Sequence, residues 1–246
     1  MVRFNIRLAK KVISVEALYE STREFCRDYI VASSEADISV SLNPADISAE
    51  QRKSADERRL EGLEPYEFPK EYLETLALYR KIAEAFAPLG VILFHGSSIS
   101  MDGDGYIFTA KSGTGKSTHT RIWRKVFGER VVMINDDKPL ISISEKGATV
   151  YGTPWCGKHG LGANISAPIK GIAVLERGEK NSIAHLPRTE AFPRLLVQTF
   201  RPRNADALRC VLSLVDKLSA SVPVYLMRAN MELDAAETAY HGMKKG

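Results

Sequence analysis

From Tyr106 to Trp123 the chain reads YIFTAKSGTGKSTHTRIW: an apolar strand, a glycine-punctuated turn and an amphipathic helical run in immediate succession. Few stretches restrict a fold so tightly. The turn follows the phosphate-loop pattern G-x-x-x-x-G-K-[ST], whose end is supplied by Gly115, Lys116 and Ser117. In such a loop the backbone N–H groups wrap phosphate and the helix N-terminus adds a partial positive charge. Gly113 and Gly115 allow close approach because neither carries a Cβ. The expected nucleotide contacts are Ser112, Gly113, Thr114, Gly115, Lys116, Ser117 and Thr118, with Lys116 on the outer phosphates and Ser117 on Mg²⁺. At the first glycine position stands Ala110. Alanine is tolerated there if its φ is negative, and the exchange removes no phosphate-facing N–H.

About twenty residues on, MINDDKP ends an apolar strand in two carboxylates. A carboxylate at a buried strand end is the expected second partner for the metal, and Asp136 and Asp137 offer both a metal ligand and a proton acceptor. Adjacent residues on a strand point to opposite faces, so both serve one site only if the chain bends; Pro139 favours such a bend. His95 ends a strand one hairpin before the loop. GTPWCGKHG, from Gly152 to Gly160, holds Lys158 and His159. Lys158 is a candidate to neutralise charge on a transferring phosphoryl group, while Trp155 reads equally as a surface-loop anchor. Arg201 and Arg203 are candidates to touch nucleotide or acceptor, and read more simply as a solvated helix end.

The surrounding pattern predicts a mixed-sheet α/β fold rather than a plain doubly wound one. Strands are expected in VILFHGSSIS and DGYIFTA around an Asp102–Gly103 turn, in RVVMIN, in a LISISEKGATVYG hairpin, in IKGIAVLERG, in NSIAHL and in VPVYLM. Residues 91–246 form the nucleotide-binding region. Residues 1–90 read as an α+β appendage that shapes an acceptor site or serves as a lid. There, Val2–Ile6 and Ile38–Leu42 alternate like strands. Ser14 caps an expected helix through Val15, Leu18, Thr22, Phe25 and Tyr29. Ala45–Leu63 is a charge-rich helix with a solvated face, carrying Glu50, Arg52, Lys53, Asp56, Glu57, Arg58, Arg59 and Glu61. A second amphipathic helix runs through Leu73, Leu78, Ile82 and Phe86 to Pro88 and Gly90.

Composition narrows the partners. The 246 residues carry a formal net charge of only +4 with the basic residues scattered, which disfavours nucleic acid. Cys26, Cys156 and Cys210 are three, widely spaced and without a C-x-x-C pair, as expected of a reducing cytosol. No run approaches the ~18 apolar residues of a membrane span.

The order His95, hairpin, SGTGKST, then NDD resembles HPr kinase/phosphorylase and ATP-dependent phosphoenolpyruvate carboxykinase. The likeness covers about Val91 to Leu140, weakens through GTPW and PIKGIAVLERG, and does not reach the first ninety residues. HGSSIS, DGDGYIFTAKSGTGKSTHTRIW and INDDKP look most like the kinase-like relatives of HPr kinase. The resemblance implies a carboxykinase-type nucleotide domain using ATP with Mg²⁺ or Mn²⁺ to phosphorylate an oxygen. By position it implies that Lys116 and Ser117 bind phosphate and metal, that Asp136 and Asp137 supply a metal ligand and the base, and that His95 sits beside metal or acceptor. It also implies self-association. A lysine metal ligand upstream of the histidine and a substrate-binding arginine, both features of a carboxykinase, have no counterpart here, since Arg80 and Lys81 lie in a helix. The HPr kinase C-terminal signature is absent as well.

These features lead to a cytosolic ATP-dependent kinase acting on a hydroxyl group, in a protein serine, a small polyol or an amino acid. A nucleotide-binding regulatory module that transfers nothing and a compact carboxykinase are the rival readings.

Overall fold

The computed structural model describes residues 1–33, 35–60 and 62–244, which divide into two compact units, Met1–Ala85 and Phe86–Gly246.

In the first unit, strands β1 (Val2–Leu8) and β2 (Lys11–Ala17) form an antiparallel hairpin, followed by a short helix α1 (Glu20–Phe25). Strand β3 (Ile38–Ser41) adds parallel to β2. This corrects the helix expected from Ser14. Ser14 lies inside β2, and Ile13, Val15 and Ala17 alternate inward from it. The period-two pattern over residues 11–17 wins because the turn at Ala9 and Lys10, with φ of 47° and 65°, returns the chain directly onto β1.

Helices α2 (Pro44–Leu60) and α3 (Lys70–Phe86) complete the unit. The face of α2 is not wholly solvated: Glu50 is buried and pairs with Arg80 of α3 at 2.6 Å, and Asp46 pairs with Lys81 at 2.8 Å. Glu61 lies outside the described residues. Buried Glu74 of α3 accepts the N–H groups of Leu18 and Tyr19, at 2.6 and 3.2 Å, and the hydroxyl of Thr22, so it serves the uncapped start of α1. A left-handed Gly90, at φ 80°, closes the 3₁₀ turn Ala87–Leu89 that follows α3.

The second unit is a mixed α/β layer. Its elements are β4 (Val91–Leu93), β5 (Ser97–Met101), β6 (Asp104–Thr109), α4 (Lys116–Phe127), β7 (Val131–Asn135), β8 (Leu140–Ser144), β9 (Gly147–Tyr151), β10 (Ser166–Arg177), β11 (Ser182–His185), α5 (Arg188–Gln198), α6 (Ala205–Ser221), β12 (Val224–Ala229) and α7 (Asp234–Lys244). Among the described residues the strands form one nine-stranded sheet, ordered β4-β8-β9-β10-β6-β5-β7, with β12 pairing β10 and β11. Residues 91–101 give two strands rather than one: β4 pairs β8, and after His95–Gly96 the chain crosses to pair β5 with β6 and β7. Gly96 suits the crossing, since a Cβ there would crowd the Phe108 carbonyl at 3.1 Å and the Ile107 side chain at 3.2 Å.

Strand β10 organises the sheet. Its first residues run antiparallel to β9, and its later ones run parallel to both β6 and β12. The C-terminal ends of β6, β10 and β12 therefore share one edge, where ligands of open α/β sheets collect. Beneath them, Trp123 of α4 packs fully buried among Tyr106, Phe108, Phe127 and Tyr240, with ring centroids 5.2–5.9 Å from its own. That cluster fixes α4 under the phosphate loop, and a buried aromatic of this kind is worth about 3–5 kcal/mol. Among the described residues no helix is long and apolar enough to cross a membrane.

Candidate functional site

Strand β6 ends at Thr109, and residues 110–115 turn into α4. Gly113 and Gly115 adopt φ of 75° and 121°, which side chains resist, so both are glycine for backbone reasons. Ala110 is absent from the left-handed residues and 3% exposed, its methyl packed in the core under the loop. Its carbonyl accepts the Lys116 ammonium at 3.1 Å. The helix begins with Gly115 as N-cap and no side-chain cap, leaving its first N–H groups to an anion. Arg177 of β10 donates to the Gly113 carbonyl at 2.9 Å and steadies the loop from outside.

A cleft of about 510 Å³ opens over this turn. Ser112, Gly113, Gly115, Lys116, Ser117 and Thr118 line one side, with His95, Asp136, Asp137, Gly157, Lys158 and His159 around the rest. The structure thus brings together His95, Lys116, Lys158, both aspartates and every expected loop contact but Thr114, which faces two neighbouring hollows. Arg201 and Arg203 are exposed and line none of these cavities. Trp155 is buried while Lys158 lines the cleft, so this loop is both anchored and cationic.

Strand β7 ends at Asn135, so the aspartates follow the strand and escape its alternation. Asp136 is 6% exposed and accepts the Ser97 hydroxyl at 2.6 Å; Ser97 in turn lies 3.1 Å from the Thr120 hydroxyl. Asp137 is more open, with His95 Nε2 at 3.4 Å and Lys138 Nζ at 3.3 Å. The bend is held by the Asn135 side chain, whose Oδ1 accepts the N–H groups of Asp137 and Lys138 at 2.9 and 2.6 Å. Sequence reasoning assigns no role to Ser97 or Asn135. The only available signal is their place inside HGSSIS and INDDKP.

Burial, followed by the charges of Lys138 and Lys116, pushes the His95 imidazole down to about 4, against the opposing effects of Asp137 and a Gln198 hydrogen bond. His95 is therefore neutral at pH 7. Burial also lowers Lys116, with Lys138 adding to the shift and the two aspartates opposing it.

Among the described residues no group of three or more His, Cys, Asp or Glu is arranged to hold a cation. The oxygens present, Ser117 Oγ and the two carboxylates, fit a hard cation that brings phosphate oxygens as its remaining ligands.

Two further hollows flank the loop. One, about 530 Å³, lies between the start of α4 and the ends of β10 and β12, lined by Thr118, His119, Ile122, Leu175, Ala229 and Met231 among others. The other, about 840 Å³, lies on the α5 side. His119 is buried, accepts the Trp123 indole N–H at Nε2 across 3.1 Å, and is pushed by burial down to about 4.

No protein-family model matches the chain, and no curated protein matches it in sequence. Among solved structures, the Hpr(Ser) kinase/phosphatase from Coxiella burnetii aligns with 62% of this chain and 97% of its own, at 11% identity and a TM-score of 0.36. A superposition that loose carries no chemical argument.

Proposed function

We propose that the protein is an ATP-dependent kinase that transfers the γ-phosphoryl group to a hydroxyl acceptor, with Mg²⁺ or Mn²⁺, on a carboxykinase-type nucleotide fold in the cytosol. The observation that carries this reading is the convergence of Lys116, Asp136, Asp137 and His95 on the phosphate loop's cleft. The aspartates separate most clearly the work of transfer from binding alone, which has no use for a base.

The roles follow from the surroundings of each group. Loop N–H groups and Lys116 hold the β- and γ-phosphates. Asp136, held by the Ser97 hydroxyl and lining the same cleft as Ser117, would hold the metal together with Ser117. The metal supplies charge neutralisation when bound. Asp137, more open and flanked by neutral His95, accepts the acceptor's proton. Lys138 Nζ lies 3.3 Å from the same carboxylate. Lys158 offsets charge on the phosphoryl oxygens. Positioning and charge neutralisation then account for most of the rate.

The nucleoside lies in the hollow beside Thr118, at the C-terminal edge of the parallel strands β6, β10 and β12. The acceptor is a protein serine, a small polyol or an amino acid.

The test is a metabolite and peptide-library screen with γ-labelled ATP, using Lys116→Ala as the blank. Labelled product above that blank supports a kinase and names the acceptor class. Its absence from both libraries contradicts the assignment.

A further inference from the structure

Asn135 is wholly buried at the end of β7, and both ends of its carboxamide are used. On one side Oδ1 takes the backbone N–H groups of Asp137 and Lys138. On the other, Nδ2 donates to the Thr153 carbonyl at 3.1 Å and to its hydroxyl oxygen at 3.0 Å. These partners fix which end is oxygen, because amide N–H groups need an acceptor and a carbonyl needs a donor. Thr153, itself buried, closes the ring by donating from Oγ1 to the Lys138 carbonyl at 2.8 Å.

Thr153 opens the segment that carries Lys158. The same segment presses on the aspartate turn at a second point: a Cβ built on Gly157 would stand 3.0 Å from Asp137 Cβ. It returns through Ala163, whose N–H donates to the Ile134 carbonyl at 3.1 Å. A carboxylate at position 135 would lack the donor, a methyl group would lack both functions, and a longer amide would displace one of the two sides.

We infer that Asn135 is a positioning residue that sets the Asp136–Asp137 turn, with the metal-holding carboxylate and the proton acceptor both on it, and the Lys158 loop as one unit. Proton acceptor and phosphoryl-neutralising cation then keep a fixed register across the cleft. This rests on the phosphoryl-transfer reading above. Asn135 is buried and does not line the cleft; it acts through the groups it holds.

The test uses the full chain and two readouts. The first is Mn²⁺ affinity of the ATP complex, followed by the resonance of free Mn²⁺. The second is tryptic cleavage after Lys158, measured against cleavage at the other lysines. Asn135→Ala is expected to weaken Mn²⁺ at least ~tenfold, as loss of a ligand-orienting partner does, and to speed cleavage after Lys158 by a similar factor.

Thr153→Val removes both hydroxyl bonds from the loop side of the ring, leaving the bond from Asn135 Nδ2 to the residue 153 carbonyl and the N–H groups of Asp137 and Lys138 on Asn135 Oδ1. Cleavage after Lys158 should rise, with Mn²⁺ affinity within about twofold of wild type. Asn135→Asp keeps the acceptor and loses the donor, and should follow Thr153→Val in the proteolysis. These two milder variants decide the matter if Asn135→Ala does not fold.

The inference is overturned if wild type binds Mn²⁺–ATP and the folded variants match it in both readouts, with only thermal stability changed. If wild type binds no Mn²⁺–ATP, the kinase reading fails first and the inference with it.

Discussion

The Lys116 ammonium donates to the carbonyl of Ala110, 3.1 Å away, at the position where the phosphate-loop pattern has its first glycine. The contact uses the backbone of residue 110 and ignores its side chain. The missing glycine therefore costs the loop nothing, and the lysine is held at the lip of the cleft until phosphate competes for it.

Ala110→Gly should accordingly leave ATP affinity within about threefold of wild type. It should lower stability by about 0.5–1 kcal/mol, the cost of glycine's extra freedom in the unfolded chain. Titration calorimetry and urea denaturation measure the two effects separately. Gly115→Ala should do the reverse damage, because its φ of 121° strains any side chain and the strain falls on the nucleotide-binding turn itself.

Much of this was open to sequence reading. The phosphate loop, the Asp102–Gly103 and Lys146–Gly147 hairpins and the strand ends follow from local glycine chemistry and alternation, which short windows contain. The Ala9–Lys10 hairpin is hidden because neither residue signals a positive φ, and Val15 also satisfies a helical spacing. Ser97 and Asn135 are hidden for another reason. Ser97 meets Asp136 from 39 residues away and Asn135 meets Thr153 from 18, contacts that exist only once β5, β7 and the loop are assembled.

The two shifted histidines, His119 buried and His95 half-buried, give stability a defined pH dependence. His95 and His119 are both pushed down to about 4, so between about pH 6.5 and 4 the unfolded chain takes up protons that the folded one refuses. Stability therefore rises with pH through that window and is lost as pH falls across it. His119→Gln should reduce the slope by at most about 1.4 kcal/mol per pH unit. Urea midpoints at several pH values, compared between wild type and variant, give the slopes directly. Equal slopes would place the proton uptake elsewhere.

Ala229→Trp fills the hollow beside Thr118 without replacing any residue of the phosphate loop. ATP affinity should fall at least ~tenfold, about 1.4 kcal/mol, while inorganic tripolyphosphate with Mg²⁺ binds as before. Equal loss for both ligands, or for neither, would remove the nucleoside from that hollow. Calorimetry with the two ligands on each protein makes the comparison.

Ser97→Ala deprives Asp136 of its hydroxyl partner and should loosen the metal more than the nucleotide. The expected change is an increase in the Mg²⁺ concentration needed for half-maximal transfer, about tenfold, with metal-free ATP affinity unchanged. A variant that alters ATP affinity alone would break the assignment of Asp136 to the metal.

Asp137→Asn separates a kinase from a protein that only binds nucleotide, since it removes the proposed base and leaves the phosphate loop intact. ATP–Mg²⁺ affinity and label transfer to the acceptor found by screening should be measured on the same preparations of wild type and variant. Affinity within about threefold together with transfer reduced at least ~100-fold, the contribution expected of a general base, is the predicted result. Undiminished transfer by the variant would contradict the account.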